Sequence, residues 1–204
     1  MAATRSARLE PRSRALLLST AAAAIESQLA RRPDAGPDPS ALPPELVEVR
    51  SSFVTLTIAG ALRGCCGSLE PRRPLALDVW SNARASAFED PRFEPLEPQE
   101  WASVDLEVSV LSPLERVIVR DEAELVARLA PGEDGLVIAW RGRRATFLPK
   151  VWEQLPDPVV FLRHLKHKAG WPGDFWAADV EVWRYETEIV AGPRATAPPA
   201  ATVA

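Results

Sequence analysis

The sequence predicts an α+β fold, a mainly antiparallel sheet with flanking helices. Three observations point to it. Segments with a period of two and segments with a helical period are mixed along the chain, without regular βαβ repetition. Two of the apolar, β-prone runs are joined tightly at Arg141-Gly142-Arg143, a hairpin signal. The one glycine-rich segment that follows a strand, Arg63-Gly64-Cys65-Cys66-Gly67, matches neither GxxxxGK[ST] nor GxGxxG, which weakens a mononucleotide loop.

Residues 1–12 read as a loose basic start. A helix is expected from about Ser13 to Arg31, because Leu18, Ala22, Ile25 and Leu29 recur on one helical face. The run from Pro33 through Pro43-Pro44 is rigid and non-helical, a linker or long loop. Phe53–Ile58 is β-branched and aromatic, hence a strand. LRGCCGSLEP then reads as a glycine-containing turn. Pro74 can start a helix over Leu75–Glu89, whose Ala76, Trp80, Ala83 and Ala87 form a face able to lie close to a sheet. Pro91 stops that helix, since the residue before proline avoids the α region. Asp105–Leu111 alternates strictly, as a half-buried strand does. Glu122–Leu129 is a short helix stopped by Pro131 and Gly132, and Leu136–Trp140 with Arg144–Leu148 make the hairpin. Asp157 as N-cap, Pro158 at N1 and Gly170 after the end bound a helix over Pro158–Ala169. Val180–Ile189 is the last strand, and the Pro/Ala tail from Gly192 onward reads as disordered.

The composition narrows the function. Of 204 residues, 47% are hydrophobic and 25% charged, as in a globular domain. Lys+Arg 24 against Asp+Glu 28 gives net charge −4, which argues against nucleic acid as partner. All the cations but Lys150, Lys166 and Lys168 are arginine, a bias read first as genomic. No run approaches the roughly 18 apolar residues of a membrane span. Arg5, Arg8, Arg12 and Arg14 ahead of Ala15–Ile25 mimic a signal peptide, but Ser19, Thr20, Glu26 and Gln28 suit an amphipathic helix better. The expected location is the cytoplasm, with thiols reduced. Two adjacent cysteines, Cys65 and Cys66, are too few for a disulfide framework or a Cys-rich zinc site.

The chemistry-bearing stretch is Arg63–Gly67. If the chain stays extended after Ile58, Gly64 and Cys66 continue the apolar face of Val54 and Leu56, while Arg63 and Cys65 share the other. A bulge at Gly60 would flip that phase. Cys65 then sits near a guanidinium, which favours thiolate over thiol, and Gly64 and Gly67 would let a ligand approach closely. The competing reading is a small buried hydrophobe beside an ordinary turn.

LRGCCGSLEP, NARASAFEDPRFEPL from Asn82 to Leu96, LEVSVLSP from Leu106 to Pro113, FLPKVWEQ at 147–154 and FLRHLKHKAG at 161–170 stand in family-like order. Together they resemble the AmmeMemoRadiSam system protein A family, the AMMECR domain. The resemblance covers about residues 13–190, read as one domain with two lobes between flexible ends, 1–12 and 192–204. It implies a larger lobe built from both chain ends plus a smaller lobe. It also implies, as partners, a Memo-like protein and a radical SAM enzyme. The family hexapeptide reads LRGCIG, so Cys66 stands here in place of Ile, an inward apolar position, and Cys65 matches the shared cysteine. The resemblance brings no reaction and no cofactor.

The site expected on these grounds has Cys65 and Arg63 as catalytic candidates and Gly64, Gly67, Asn82, Asp90 and Arg92 as binding candidates. Asn82 either turns its amide toward the RGC loop or bonds to backbone. Asp90 pairs with Arg92, reaches Arg63, or closes a turn. His164 and His167 stand three apart on a helix, but Arg163, Lys166 and Lys168 make that a cationic face hostile to a metal. Trp171, Trp176 and Trp183 read as packing residues. Two functions follow: an enzyme or modification-system subunit using Cys65, or a non-catalytic binding module using the same loop for a protein partner or small anionic ligand.

Overall fold

A computed structural model describes residues 8–33 and 35–192. In chain order, its first half holds α1 (Pro11–Leu29), α2 (Pro44–Val47), β1 (Ser52–Ile58), β2 (Ala61–Gly67), α3 (Leu75–Phe88) and β3 (Val104–Leu111). The rest holds β4 (Glu115–Arg116), α4 (Glu122–Arg128), β5 (Gly135–Trp140), β6 (Arg143–Phe147), α5 (Pro158–Lys168), β7 (Glu181–Tyr185) and β8 (Thr187–Gly192). The α+β class holds. The strands form two four-stranded sheets, ordered β2-β1-β3-β8 and β4-β7-β5-β6, with antiparallel β1–β2, β1–β3, β4–β7, β5–β6 and β5–β7 pairs. The chain divides into two compact units, Met1–Leu111 with Glu188–Ala204, and Ser112–Thr187.

In the first unit, α1 and α3 cover the β1–β3 sheet. Alternation along β1 buries Val54 and Leu56, and β3 buries Leu106 and Val108 on the same side. Onto these pack Leu17, Ala21 and Ile25 of α1, and Val79 and Ala83 of α3. The small residues of α3 allow that close approach. In the second unit, Leu136 and Ile138 of β5 and Val182 of β7 meet Phe161, Leu162 and Leu165 of α5. Trp152 stacks on Phe161 at 3.7 Å and 3°. Asp157 caps α5 by accepting the N–H groups of Val159 and Val160, as its position ahead of Pro158 suggests.

Several boundaries differ from expectation, each for a physical reason. The helix starts at Pro11, and Leu9 is buried, its N–H donating to Glu188, so residues 9–12 belong to the fold. Residues 1–7 and the tail from 193 lie outside the described residues. The proline-rich stretch is not wholly non-helical: it holds a 3-10 turn at Pro39–Ala41, and its last proline, Pro44, starts α2, whose Leu46 is fully buried. LRGCCG is not a turn but strand β2. The turn sits earlier, at Ala59-Gly60, both with positive φ (50° and 80°). Ala59 hides that turn, since alanine rarely takes a left-handed conformation. The expected strand Val180–Ile189 is two strands in different sheets, parted at Glu186, whose N–H donates to Ser112 Oγ and whose carbonyl accepts the Ser112 N–H.

Lys166 is the sharpest local correction. Far from joining a solvated cationic face, it is 1% exposed, its ammonium held by both Glu122 oxygens (2.9 and 2.8 Å) and the Phe175 carbonyl (3.2 Å). Removing one member strands a buried charge. Lys166→Ala is therefore expected to cost about 3 kcal/mol in urea unfolding, whereas Lys166→Met with Glu122→Leu stays within about 1 kcal/mol of wild type. A neutral Lys166→Ala would show that the pair contributes nothing.

Candidate functional site

The site is built on β2, the edge strand of the first sheet, where it lies over α3. The buried residues of helix α3 are apolar except for Asp78, Asn82 and Ser86, which are spaced by four and so form one polar stripe on its inner face. Asp78 accepts the N–H of Ser52 (2.9 Å) and its hydroxyl (2.7 Å). Asn82 donates its amide to the Ser52 carbonyl (3.0 Å) and to Asp78 (2.9 Å). Ser86 Oγ accepts the Cys66 N–H (2.8 Å) and lies 2.7 Å from the carbonyls of Val54 and Asn82. Asn82 thus faces the start of β1, not Arg63 or Cys65.

Gly64 and Gly67 both stand in close packing contacts, Gly64 against α3 and Gly67 against β1. Neither has a positive φ. A Cβ at Gly64 would stand 2.0 Å from the Ser86 carbonyl oxygen, and one at Gly67 would stand 2.3 Å from the Phe53 ring. Helix and strand approach so closely that only glycine fits at Gly64.

The hairpin register settles which cysteine turns where. Val54 stands opposite Cys66, Thr55 opposite Cys65 and Leu56 opposite Gly64, while Thr57 stands opposite Leu62. The register shifts between Leu56 and Thr57, leaving Arg63 as the extra residue of a β-bulge. Cys66 therefore shares the face of Val54, though it is half-buried rather than core, and burial pushes its thiol up. Cys65 shares the face of Thr55, whose hydroxyl donates to Sγ at 3.4 Å. Both thiols are free.

A second segment, residues 90–100, closes over this face. Asp90 Oδ2 accepts the Cys65 N–H (2.9 Å), and both Asp90 oxygens are held by Arg92, through Nε (2.9 Å) and Nη2 (2.7 Å). Those Arg92 bonds hold the Asp90 carboxyl well below the usual carboxylate range. Arg92 Nη2 also reaches the Cys65 carbonyl at 3.4 Å. Arg63 is taken by Glu100 in a bidentate pair (Nε 2.7 Å, Nη2 2.9 Å). This pair draws the Glu100 carboxyl down to about 2. Both guanidinium carbons lie over the Phe93 ring, at 5.9 Å from Arg63 and 5.6 Å from Arg92.

The structure brings Arg63, Gly64, Cys65, Asp90 and Arg92 together, and sets Asn82 and Gly67 at the neighbouring start of β1. Sequence reasoning missed Glu100, which stands 37 residues from Arg63 with no spacing signal. It also missed Ser86 and Asp78, which the four-residue polar spacing on an apolar helix would have revealed. The expected mechanism changes too. The Arg63 charge is matched by Glu100, and the amides of Cys65 and Cys66 already donate to Asp90 and Ser86. Elsewhere, the His164 and His167 rings lie 6.3 Å apart. Among the described residues no group of three or more His, Cys, Asp or Glu is placed to hold a metal ion, and no helix is long and apolar enough to cross a membrane.

Two antiparallel sheets with flanking helices, and an RGC-bearing edge strand clamped by a downstream acidic–basic segment, define an α+β protein of the AMMECR kind. The family model described as AMMECR1 matches residues 18–190, and the chain belongs to that family. A protein of Thermotoga maritima is 40% identical over 155 residues, 74% of this chain and 83% of its own length. One from Thermofilum pendens is 36% identical over 194 residues, covering 89% and 91%. The crystal structure of the uncharacterized protein PH0010 from Pyrococcus horikoshii superposes with a TM-score of 0.81 at 33% identity, over 89% of this chain and 92% of that one.

Two outcomes check this geometry. Gly64→Ala must separate α3 from β2 and is expected to cost about 3 kcal/mol, read by urea unfolding. A loss under about 1 kcal/mol would contradict the close approach. The second concerns acid. Glu100 titrates at about 2 in the folded protein, below its ordinary 4.5, so its stabilisation is full above 4.5 and disappears as pH falls toward 2. Glu100→Gln should show a smaller drop in urea midpoint between those pH values than wild type. An equal drop would mean the Arg63 pair does not stabilise the fold.

Proposed function

We propose that this chain is a cytoplasmic binding component of an AmmeMemoRadiSam-type system. It recognises an anionic group, on a protein partner or a small ligand, through the surface of Arg63, Arg92 and Phe93. One observation carries this reading. Two guanidiniums converge on one aromatic ring, and the Arg92 side chain is 54% exposed even though Asp90 fixes its direction. A pre-oriented guanidinium beside an aromatic face suits a carboxylate or phosphate group, and little side-chain freedom is lost on binding. The groups that would activate a cysteine are meanwhile committed within the fold.

The partners implied are a Memo-like protein and a radical SAM enzyme. Purified wild-type chain is expected to retain one of them in a pull-down at physiological salt. Arg92→Ala weakens capture about tenfold, a loss in line with one charge-assisted contact, whereas Cys65→Ser leaves it unchanged. Capture that survives Arg92→Ala would move the surface elsewhere, and capture of neither protein would end the proposal.

A second reading, a catalytic Cys65 with Arg63 as its anion-binding neighbour, rests on the Thr55 hydroxyl that points at Sγ. A hydroxyl donor stabilises a thiolate. Cys66→Ile isolates Cys65, and alkylation by iodoacetamide at neutral pH is then compared with that of an unstructured cysteine peptide. A rate above the peptide's supports this reading, and a rate at or below it removes it.

A further inference from the structure

The cations of the second unit fall into two groups. Arg116, Arg120, Arg128 and Arg184 each pair with a carboxylate, and Lys166 is held by Glu122. Arg141, Arg143 and Arg163 are different. All three are exposed, and among the described residues none of them meets a carboxylate at ion-pair distance. These three gather around one loop, residues 170–175, just after α5. Arg143 donates to the Gly170 carbonyl at 2.6 Å. A Cβ at Gly173 would stand 2.8 Å from Cγ of Arg163, so the loop lies against that side chain. The Arg141 guanidinium lies 4.5 Å from the centre of the Trp140 ring, which packs on Phe175 at 4.7 Å. Lys168, two residues before Gly170, donates to the Thr146 carbonyl of β6 at 3.0 Å.

A carbonyl or an aromatic ring orients a guanidinium without neutralising it. Two carboxylates lie in the same stretch of chain. Asp179 accepts from the Trp140 indole at 2.7 Å and Asp174 is exposed, and among the described residues neither pairs with a cation. The surplus at this end is positive. It is tethered at three different points, Gly170, Gly173 and Trp140, so it is spread along the loop and not focused on one spot, as a single small anion would require. A spread surplus suits a chain that carries several negative charges. Carboxylates on alternate residues of an extended peptide stand about 7 Å apart on one side. A nucleic-acid strand fits less well. Three unmatched arginines fall short of the roughly six to ten phosphate contacts of a strongly salt-dependent nucleic-acid binder. The aromatic faces on which bases would stack are also taken, since Arg141 covers Trp140 and Trp171 is only 5% exposed.

We propose that this arginine surface docks an acidic, extended segment of a protein partner. The carboxylates of that segment pair with Arg141, Arg143 and Arg163, and its intervening residues lie along the half-buried Trp140 and Phe175. This surface shares no residue with that of Arg63, Arg92 and Phe93, and either can hold without the other.

Fluorescence anisotropy with the full chain tests it with three labelled probes: decaglutamate, decalysine and decathymidylate. Decaglutamate is expected to bind with a Kd below about 1 mM at low salt, and to weaken as salt is raised, because exposed ion pairs are screened. Decathymidylate is expected to bind at least about tenfold more weakly, and decalysine not at all. Arg141→Gln with Arg163→Gln removes two charges at exposed positions and is expected to weaken decaglutamate about tenfold while the melting temperature is kept. Absence of decaglutamate binding up to about 1 mM overturns the proposal, as does an affinity indifferent to salt. Decathymidylate or decalysine binding as tightly as decaglutamate overturns it too. A loss produced by Arg92→Ala and not by the double variant would put the peptide on the edge-strand surface, and that also overturns it. If the double variant does not fold, Arg163→Gln alone, on the exposed face of α5, is expected to weaken decaglutamate about threefold, and unchanged affinity there overturns the proposal.

Discussion

The buried polar stripe of α3 is the constraint on which the first unit's site depends. Asp78, Asn82 and Ser86 take up the N–H and carbonyl of Ser52 and the N–H of Cys66, and Ser86 lies within reach of the Val54 carbonyl. Each of these backbone groups would cost about 1–3 kcal/mol if left buried and unbonded. The stripe therefore fixes both the distance and the register of the β1–β2 hairpin on the helix. The requirement for glycine at position 64 follows from that distance, with Ser86 at the point of contact.

A hairpin held from below can be closed from above. Strand β2 is a sheet edge, with one side open to pairing by another chain. Residues 90–100 occupy that side: Asp90 takes the Cys65 N–H, and Glu100 takes the bulged Arg63. The same contacts that protect the edge immobilise Arg92 and Phe93. Rigidity here is a by-product of edge protection, and it is also what a recognition surface needs. An incoming anion must compete with resident carboxylates for both guanidiniums, which favours ligands that also use the Phe93 face.

How much of this was legible in the sequence depended on the range of the signal. Local patterns read correctly: the alternation of β3, the Asp157-Pro158 start of α5, the Arg141-Gly142 hairpin and the small-residue face of α3 all produced the elements observed. The pairing of Asp90 with Arg92 was among the local readings that the structure realises. Glu100 was invisible because ion pairing across 37 residues leaves no periodic trace. Lys166 was misplaced because its neighbours Arg163, His167 and Lys168 are exposed, while helical geometry turns position 166 inward toward Glu122. The glycines of RGCCG drew the turn to the wrong place, since their purpose is contact with α3 and Phe53 and not backbone reversal.

The assignment of the two cysteines shows how a correct conclusion can rest on a different physical route. An uninterrupted strand would keep Val54, Leu56, Gly64 and Cys66 in phase. The chain instead reverses at Ala59-Gly60, and a regular hairpin that continued from Ile58 opposite Ala61 would place an odd-numbered residue opposite each even one. Cys65 would then face inward with Val54, and Cys66 outward. The extra residue at Arg63 shifts the register by one and exchanges the two cysteines again. The bulge thus does two things with one insertion: it turns Cys65 to the Thr55 face and frees Arg63 from the ladder to reach Glu100. An Ile in place of Cys66 is explained on the same ground, because after the bulge that position always lies on the apolar side of β1.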